Sequence, residues 1–257
     1  MRLTVLGGAA AGGNPGQGCS GYLVQANGTS IVLDLGPGTL PQLRLHADFR
    51  TLDAIVVSHL HLDHVLDLLA LWYALAYNPR PTDRRLPLWL PPGGRSFLTT
   101  LASAIHPADT GASVFDVYDA AEYDPAVDLK VGQMTIRFAP TVHYVPCWAM
   151  RVAADDGSRD LVYTADTGPA ADLAPFAAEA GVLVTEAAAS GEPLEPRESR
   201  GHCTAAEAAT LATDAKAERL LLTHYWAEDD PARMLRSASD GYPGSIVVAK
   251  PSMIVEW

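Results

Sequence analysis

Short apolar runs that end in polar or turn-forming residues recur along the whole of this chain. Runs of about four to eight apolar and β-branched residues are typical of buried strands, whereas apolar segments of about ten residues or more are typical of buried helices. Strand patterns dominate the first part of the chain, and strand and helix patterns alternate in the second part. The pattern therefore predicts a mixed α/β protein.

The bounds of the predicted elements follow from these runs and from the Gly, Pro, Ser and Thr residues between them. Strands are predicted at residues 3–6, 20–24, 31–34, 53–58, 86–90, 134–138, 149–153, 160–164, 182–185, 219–223 and 245–248. Helices are predicted at residues 40–45, 65–77, 96–105, 171–179, 204–215 and 231–237, and Thr204 and Glu207 have the spacing of a capping box. No repeat or long linker divides the sequence, so residues 1–257 are expected to form one domain.

Composition and charge exclude several classes of protein. The 257 residues are 48% hydrophobic and 19% charged, which supplies a large core and excludes a disordered chain. The net charge of −12 repels polyanions and argues against extended nucleic-acid binding. The longest apolar segment, residues 65–77, contains Asp67 and is shorter than the roughly 20 residues that span a bilayer, so no membrane partner is expected. Three cysteines without a C-x-x-C pair and a start without a secretory leader favour the cytoplasm.

Three histidines and one aspartate lie within six residues, in the order His59-x-His61-x-Asp63-His64. These side chains are ligands of zinc and similar metal ions. The motif lies where a predicted strand turns into a predicted helix, so His59 and His61 project to one side and Asp63 and His64 to another. That division suits two adjacent metal ions. The alternative is a polar turn that only caps the helix.

Three further candidate ligands follow other predicted strands. His143, Asp166 and His224 each stand after the end of an apolar run. Any one of them alone has an ordinary explanation as a hydrogen-bonded residue in a strand-end loop. Their shared position, added to the histidine-rich turn, indicates a two-metal site built from distant parts of the chain.

The order of these motifs resembles the metallo-β-lactamase superfamily, and within it the ribonuclease Z-like phosphodiesterases. The resemblance rests on Val-Leu-Asp-Leu-Gly-Pro-Gly around Asp34, the turn at residues 59–64, His143, Tyr-Thr-Ala-Asp-Thr around Asp166, and Leu-Thr-His ending at His224. These motifs extend over nearly the whole chain. The resemblance implies an α/β fold, a four-layer αββα sandwich of two mixed sheets flanked by helices.

The same resemblance implies how two divalent metal ions would be bound. His59, His61 and His143 would bind one ion, Asp63, His64 and His224 would bind the other, and Asp166 would bridge the two. Zn²⁺ is the first expectation, and Mn²⁺ or Fe²⁺ would suit the same ligands. Asp34 stands outside this set and is predicted to hold a histidine in the tautomer that binds metal.

Two more motifs match the ribonuclease Z-like branch. They are Glu186 in Leu-Val-Thr-Glu-Ala-Ala and His202 in His-Cys-Thr before a predicted helix. By the resemblance, His202 would hold the phosphate and assist the leaving oxygen, with Glu186 orienting it or keeping it protonated. A metal-bridging hydroxide would be the nucleophile, and Asp63 would orient it or accept its proton. The alternative for His202 is a surface histidine beside a helix.

The expected substrate is a small phosphodiester. Ribonuclease Z enzymes commonly insert a tRNA-gripping arm between the third-histidine motif and the bridging aspartate, but here Asp166 follows His143 by only 23 positions. This short layout, with Ser-Gly-Tyr-Leu at 20–23 and Ala-Asp-Thr-Gly at 165–168, resembles actinobacterial cyclic-nucleotide phosphodiesterases and favours substrates such as cAMP. A ribonuclease Z-like tRNA 3′-processing endonuclease and a non-catalytic binding module with the same fold are the alternatives.

The sequence leaves three features of the site open. A local basic patch of Arg80, Arg84, Arg85 and Arg95 would favour RNA, and the segment 78–95 could cover the site. Candidates for stacking on a base are Trp72, Tyr73, Tyr144, Trp148, Tyr225 and Trp226. A second copy of the chain is a candidate partner, because ribonuclease Z enzymes often dimerise.

Overall fold

The computed structural model describes residues 1–106, 111, 113–191 and 193–257. Within these residues the strands form two seven-stranded sheets. The first sheet contains β1 (Arg2–Gly7), β2 (Gly21–Ala26), β3 (Thr29–Leu35), β4 (Ala54–Val56), β5 (Leu86–Leu90), β6 (Tyr118–Glu122) and β14 (Ile254–Glu256), in the order β14-β1-β2-β3-β4-β5-β6. Strands β3 to β6 are parallel, whereas β14, β1 and β2 pair antiparallel.

The second sheet repeats this mixture of parallel and antiparallel pairs. It contains β7 (Leu129–Val131), β8 (Met134–Pro140), β9 (Trp148–Ala154), β10 (Leu161–Tyr163), β11 (Val182–Glu186), β12 (Arg219–Thr223) and β13 (Ser245–Val248), in that order across the sheet. Strands β10 to β13 are parallel, and β7 to β10 pair antiparallel. Both sheets are therefore mixed, as the resemblance implied.

Helices cover the outer face of each sheet. They are α1 (Thr39–His46), α2 (Leu62–Val65), α3 (Asp67–Ala76), α4 (Gly94–Ile105), α5 (Val114–Val117), α6 (Ala205–Asp214) and α7 (Pro231–Ser239), with a 3-10 turn at Phe49–Thr51. One apolar cluster lies between the sheets, a second lies under α1, α3 and α4, and a third lies under α6 and α7. These three apolar layers separate four layers of structure, which confirms the αββα sandwich.

Most predicted elements are present, and the differences have physical causes. The predicted helix at 171–179 is wrong, because Pro175 interrupts it and the amide of Glu179 donates to the carbonyl of Ala215 instead of to its own turn. The apolar segment 65–77 is divided between α2 and α3 at Leu66. Strands β6, β7 and β14 and helix α5 were not predicted.

The helices and the cysteines agree with two features of the sequence, the length of its apolar segments and the spacing of its cysteines. None of the helices in the described residues is both long and apolar enough to cross a bilayer. All three cysteines are buried and free of disulfide bonds, in agreement with the cysteine pattern.

Candidate metal centre

The candidate site lies where the parallel strands of both sheets end. Asp34 is the penultimate residue of β3, and the turn at 59–64 follows β4. Asp166 follows β10, and His224 follows β12. The loop between β8 and β9 adds His143. Because the carboxyl ends of parallel strands meet at one edge of a sheet, residues far apart in sequence come together here.

The first group of potential ligands combines three imidazoles with one carboxylate. His59, His61, His143 and Asp166 place their ligand atoms within 4.8 Å of one another. The Nε2 atoms of His59 and His143 both lie 3.6 Å from Oδ2 of Asp166. His143 Nε2 also lies 3.0 Å from Nδ1 of His61. These short separations leave the nitrogens converging on one point, as ligands of a single ion do.

The second group combines two imidazoles with two carboxylates. Asp63, His64, Asp166 and His224 also lie within 4.8 Å of one another, and all four are buried. His224 Nε2 is 3.0 Å from Oδ2 of Asp63 and 3.4 Å from Oδ2 of Asp166. His64 Nε2 is 3.3 Å from the other oxygen of Asp166. The carboxylate of Asp166 therefore faces both groups, so the structure brings together all seven residues singled out in the sequence.

The nitrogen and oxygen atoms of the two groups are arranged to bind cations and not to satisfy one another by hydrogen bonding. Among the described residues, buried atoms without a hydrogen-bond partner include Nε2 of His59 and Nε2 of His64. A buried polar atom left without a partner costs about 1–3 kcal/mol, so two such nitrogens facing the same carboxylate indicate that they serve as ligands of a cation. Both chelating sets contain only imidazoles and carboxylates, which suit Zn²⁺, Mn²⁺ or Fe²⁺.

Burial sets the protonation of the first group. It lowers the pKa of His59 well below its ordinary value and lowers the pKa of His143 to about 4. Both rings are therefore neutral at pH 7, which is the form that binds metal. Burial would also raise the pKa of Asp166, but the neighbouring rings of His224 and His64 outweigh burial and hold that pKa well below the ordinary value. The carboxylate is thus ionised and ready to bridge two cations.

Asp34 fixes the orientation of the histidines from behind. Its carboxylate accepts hydrogen bonds from the amide and hydroxyl of Ser58, from Nδ1 of His64 and from the hydroxyl of Tyr163, at 2.7–2.8 Å. His59 Nδ1 lies 3.0 Å from the Ser58 hydroxyl, which already donates to Asp34, so His59 donates there. With Nδ1 bound in this way, each ring directs its Nε2 to the metal centre. The predicted contact between Asp34 and a histidine is present, whereas the contacts of Ser58 and Tyr163 with Asp34 were not predicted from the sequence.

The backbone that presents these groups is strained or closely packed. Asp34, Ala165 and His224 have φ values of 57°, 51° and 48°, in the left-handed region that non-glycine residues rarely occupy. Such strain of about 1–3 kcal/mol per residue is typical of functional sites. Gly36 has no room for a side chain, because a Cβ there would lie 1.8 Å from the carbonyl oxygen of Asp63. A glycine is thus needed at position 36, where the metal-binding turn packs against this loop.

His202 lies at the mouth of the centre and is paired with a buried acid. Its Nδ1 donates to Oε1 of Glu186 at 2.9 Å, and Glu186 also accepts hydrogen bonds from the amides of Thr167 and Ala188. Burial would lower the pKa of His202, but the hydrogen bond and charge of Glu186 raise it to about 9. The ring is stacked on that of His224 with centroids 5.5 Å apart. His202 is therefore a partly buried cation beside the metal groups and not a surface histidine.

A cavity of about 410 Å³ opens beside these groups. His202 and His224 line it together with Tyr144 and Trp226. Of the six aromatic residues proposed for stacking, only these two line the cavity. Trp72 and Tyr225 are buried in the packed clusters under the helices.

The four arginines do not form one patch at the site. Arg85 precedes β5 and Arg95 follows it, so they lie at opposite ends of that strand. Arg80 lines a separate cavity of about 650 Å³ with Arg44 and Arg50, and none of the seven metal-site residues lines that cavity. Residues 78–80 therefore do not cover the metal centre.

Comparisons with known proteins agree with this architecture. A family profile described as "Beta-lactamase superfamily domain" matches residues 29–225. "Probable metallo-hydrolase YhfI" of Bacillus subtilis is 32% identical over 262 residues, which cover 100% of both chains. The crystal structure of that metallo-beta-lactamase fold protein matches with a TM-score of 0.86 and 28% identity, covering 99% of this chain and 98% of that one.

Two further relatives extend the comparison. "Uncharacterized protein Rv1339" of Mycobacterium tuberculosis is 31% identical over 253 residues, which cover 96% of this chain and 90% of that protein. Ribonuclease Z of Haloferax volcanii is 28% identical over 302 residues, which cover 100% of this chain and 95% of that protein. The profile and these full-length alignments show that the chain belongs to the metallo-β-lactamase superfamily, in the branch that includes YhfI and ribonuclease Z.

Proposed function

We propose that this protein is a two-metal phosphodiesterase that hydrolyses small phosphodiesters, with cyclic nucleotides such as cAMP as its substrates. The observation that carries the proposal is a complete set of seven His and Asp side chains in two overlapping groups, with the His202–Glu186 pair beside them. The coarser assignment, a metal-dependent hydrolase, follows from the superfamily and the intact donor set. A binding module without activity would have no need for so complete a set.

The proposed ligands follow the two groups. His59, His61 and His143 would hold one ion, Asp63, His64 and His224 would hold the other, and Asp166 would contact both. We propose Zn²⁺, because five of the seven donors are imidazoles. Bound there, two such ions would lower the pKa of a water and withdraw charge from the phosphoryl oxygens.

The protein's own groups would then hold the substrate and move its protons. With Nδ1 bound to Glu186, His202 presents a protonated Nε2 that can donate to the leaving oxygen. Asp63 would orient the attacking water as an ionised carboxylate. Burial would raise the pKa of Asp63, but the neighbouring His224 and His64 lower it, which makes the carboxylate a weak base. His202 is therefore proposed as the general acid and Asp63 as the positioning carboxylate.

Substrate size is argued from the surroundings of the centre. A cavity of about 410 Å³ fits a small organic ligand and not an RNA duplex. The net charge of −12 disfavours a polyanion, and the cavity lined by Arg44, Arg50 and Arg80 contains none of the metal-site residues. Ribonuclease Z relatives, named for cleavage of RNA, support phosphodiester chemistry in this branch.

Substrate profiling tests the proposal. Protein reconstituted with Zn²⁺ or Mn²⁺ would be given 3′,5′-cAMP, cyclic dinucleotides, bis(p-nitrophenyl) phosphate, a lactone and a thioester, with Asp166→Asn as the inactive control. We expect the phosphodiesters to be hydrolysed by the unchanged protein and not by the variant. Turnover of the lactone or thioester alone would exclude phosphodiester chemistry.

Ribonuclease Z activity is the second candidate, because full-length relatives carry that name. Ribonuclease Z activity needs a positively charged surface that binds tRNA. A second copy of the chain could supply part of that surface. Incubation with precursor tRNA decides between the two candidates. Cleavage at the 3′ end at a rate above that for cAMP would favour the ribonuclease, whereas we expect uncleaved tRNA.

A further inference from the structure

The cavity beside the metal centre contains two aromatic rings that neither the metal site nor the packed core requires. Tyr144 directly follows His143, and its ring centroid lies 5.7 Å from that of His202. Trp226 stands two positions after His224. Their side chains remain 55% and 39% exposed, although both belong to the lining of one cavity. A group joined to a phosphate at the metal centre would therefore enter a cavity that both rings line.

Each ring packs directly on the backbone of a glycine. A Cβ on Gly12 would lie 3.0 Å from the Trp226 ring, and a Cβ on Gly201 would lie 2.6 Å from the Tyr144 ring. Side chains at these two positions would displace the rings. Because each ring packs closely on backbone, its side chain has few conformations in the free protein. Little conformational entropy is therefore lost when a ligand stacks on the ring.

A hydrogen bond holds Tyr144 on its other side. Its hydroxyl donates to Oε2 of Glu195 at 2.6 Å, which joins the loop after β8 to the segment that forms the rim of the cavity. Leu194, next to Glu195, is fully exposed at that rim. The bond fixes the position of the ring and also occupies the Glu195 carboxylate.

The remaining charges in the cavity favour an uncharged ligand group. Arg200 lines it, but its Nε donates to the carbonyl of His202 and its Nη2 pairs with Glu207. Glu195 keeps its negative charge while it accepts the Tyr144 hydroxyl, and His202 lies in the same lining beside the metal groups. A phosphate belongs at His202, whereas a flat, neutral group suits the two rings.

We propose that Tyr144 and Trp226 bind the base of a mononucleotide whose phosphate lies at the metal centre, with the Tyr144–Glu195 bond holding the first ring in position. This inference rests on the proposed phosphodiesterase function and assigns the residues that would recognise the base of a nucleotide substrate. Stacking of a base on an aromatic side chain contributes about 1–3 kcal/mol, which is about fivefold to a hundredfold in affinity.

Binding of products separates this inference from catalysis. The dissociation constants of AMP and of ribose 5-phosphate would be measured by calorimetry on the metal-reconstituted protein and on Trp226→Ala, Tyr144→Ala, Tyr144→Phe and, as a control, Tyr77→Ala. We expect AMP to bind at least about fivefold more tightly than ribose 5-phosphate. The two variants that remove a cavity ring should lose most of that ratio, Tyr144→Phe should lose part of it, and Tyr77→Ala should keep it.

Two opposite outcomes distinguish the proposals. Equal affinity for AMP and ribose 5-phosphate, or an unchanged ratio in both ring-deleting variants, would overturn the base pocket even if bis(p-nitrophenyl) phosphate is hydrolysed. A ratio that depends on both rings would support the pocket even if no phosphodiester is turned over, and in that case only the catalytic proposal would fail.

Discussion

At the scale of single residues, the centre depends on side chains that are not in the proposed ligand set. Asp34 organises His64 directly and His59 through the hydroxyl of Ser58. The motif around Asp34 was visible in the sequence. The partners Ser58 and Tyr163 were not, because one follows β4 of the first sheet and the other ends β10 of the second, and only the packing of the sheets brings them together.

Replacing Asp34 by Asn should weaken metal binding. An Asn presents an NH₂ group to donors that need an acceptor, so the rings of His59 and His64 lose their fixed orientation. We expect a loss of about ten- to a hundredfold in metal affinity, measured by competition with a chromogenic chelator. The exposed Asp155→Asn is the matched control. An unchanged affinity in Asp34→Asn would show that the ligands are oriented by other contacts.

The Glu186–His202 pair should make stability depend on pH. The pKa of His202 is about 9 in the folded protein against an ordinary value of 6.5, so the folded state alone holds the proton between these values. The free energy of unfolding of metal-free protein should therefore fall as pH rises from 6.5 to 9. In Glu186→Gln this fall should be smaller, as judged by urea unfolding at several pH values. Equal slopes in both proteins would refute the coupling.

At the scale of elements, local pattern and tertiary contact each decide part of the fold. Strands such as β5 and β12 have the predicted bounds, because long apolar runs define them. The three-residue strands β7 and β14 are too short to show the alternation of apolar and polar residues that identifies a strand. β14 exists because it pairs with β1, in the register that joins Arg2 to Glu256 at the two ends of the chain. No local pattern could predict that pairing.

Helix α1 gives a prediction at this scale. Its N-cap is Gly38, which provides no side-chain cap, and the carboxylate of Asp67 at the start of α3 accepts the amide of Leu40 at 2.8 Å instead. Asp67→Ala should therefore lower the free energy of unfolding by about 1–2 kcal/mol. Urea unfolding measures it, with the exposed Asp83→Ala as control. A loss no larger than that of the control would mean that Asp67 does not cap α1.

At the scale of the whole molecule, each proposed metal ion joins the two sheets. The first group takes His59 and His61 from the turn after β4 and takes His143 and Asp166 from loops of the second sheet. The second group is divided in the same way. The candidate ligands could be found in the sequence because they follow recognisable strands, but their convergence depends on how the sheets pack through the apolar cluster between them.

Metal removal should therefore destabilise the entire fold and not only abolish activity. A site filled at a free metal concentration about a hundred times its dissociation constant adds about 2.7 kcal/mol, or roughly 5–10 °C in Tm for a chain of this size. Chelator-treated and reconstituted protein would be compared by calorimetry, with metal content measured in parallel and two ions expected per chain. Asp166→Asn, which alters the carboxylate shared by both groups, should show a much smaller metal-dependent rise. The same Tm with and without metal would contradict a centre that holds the two sheets together.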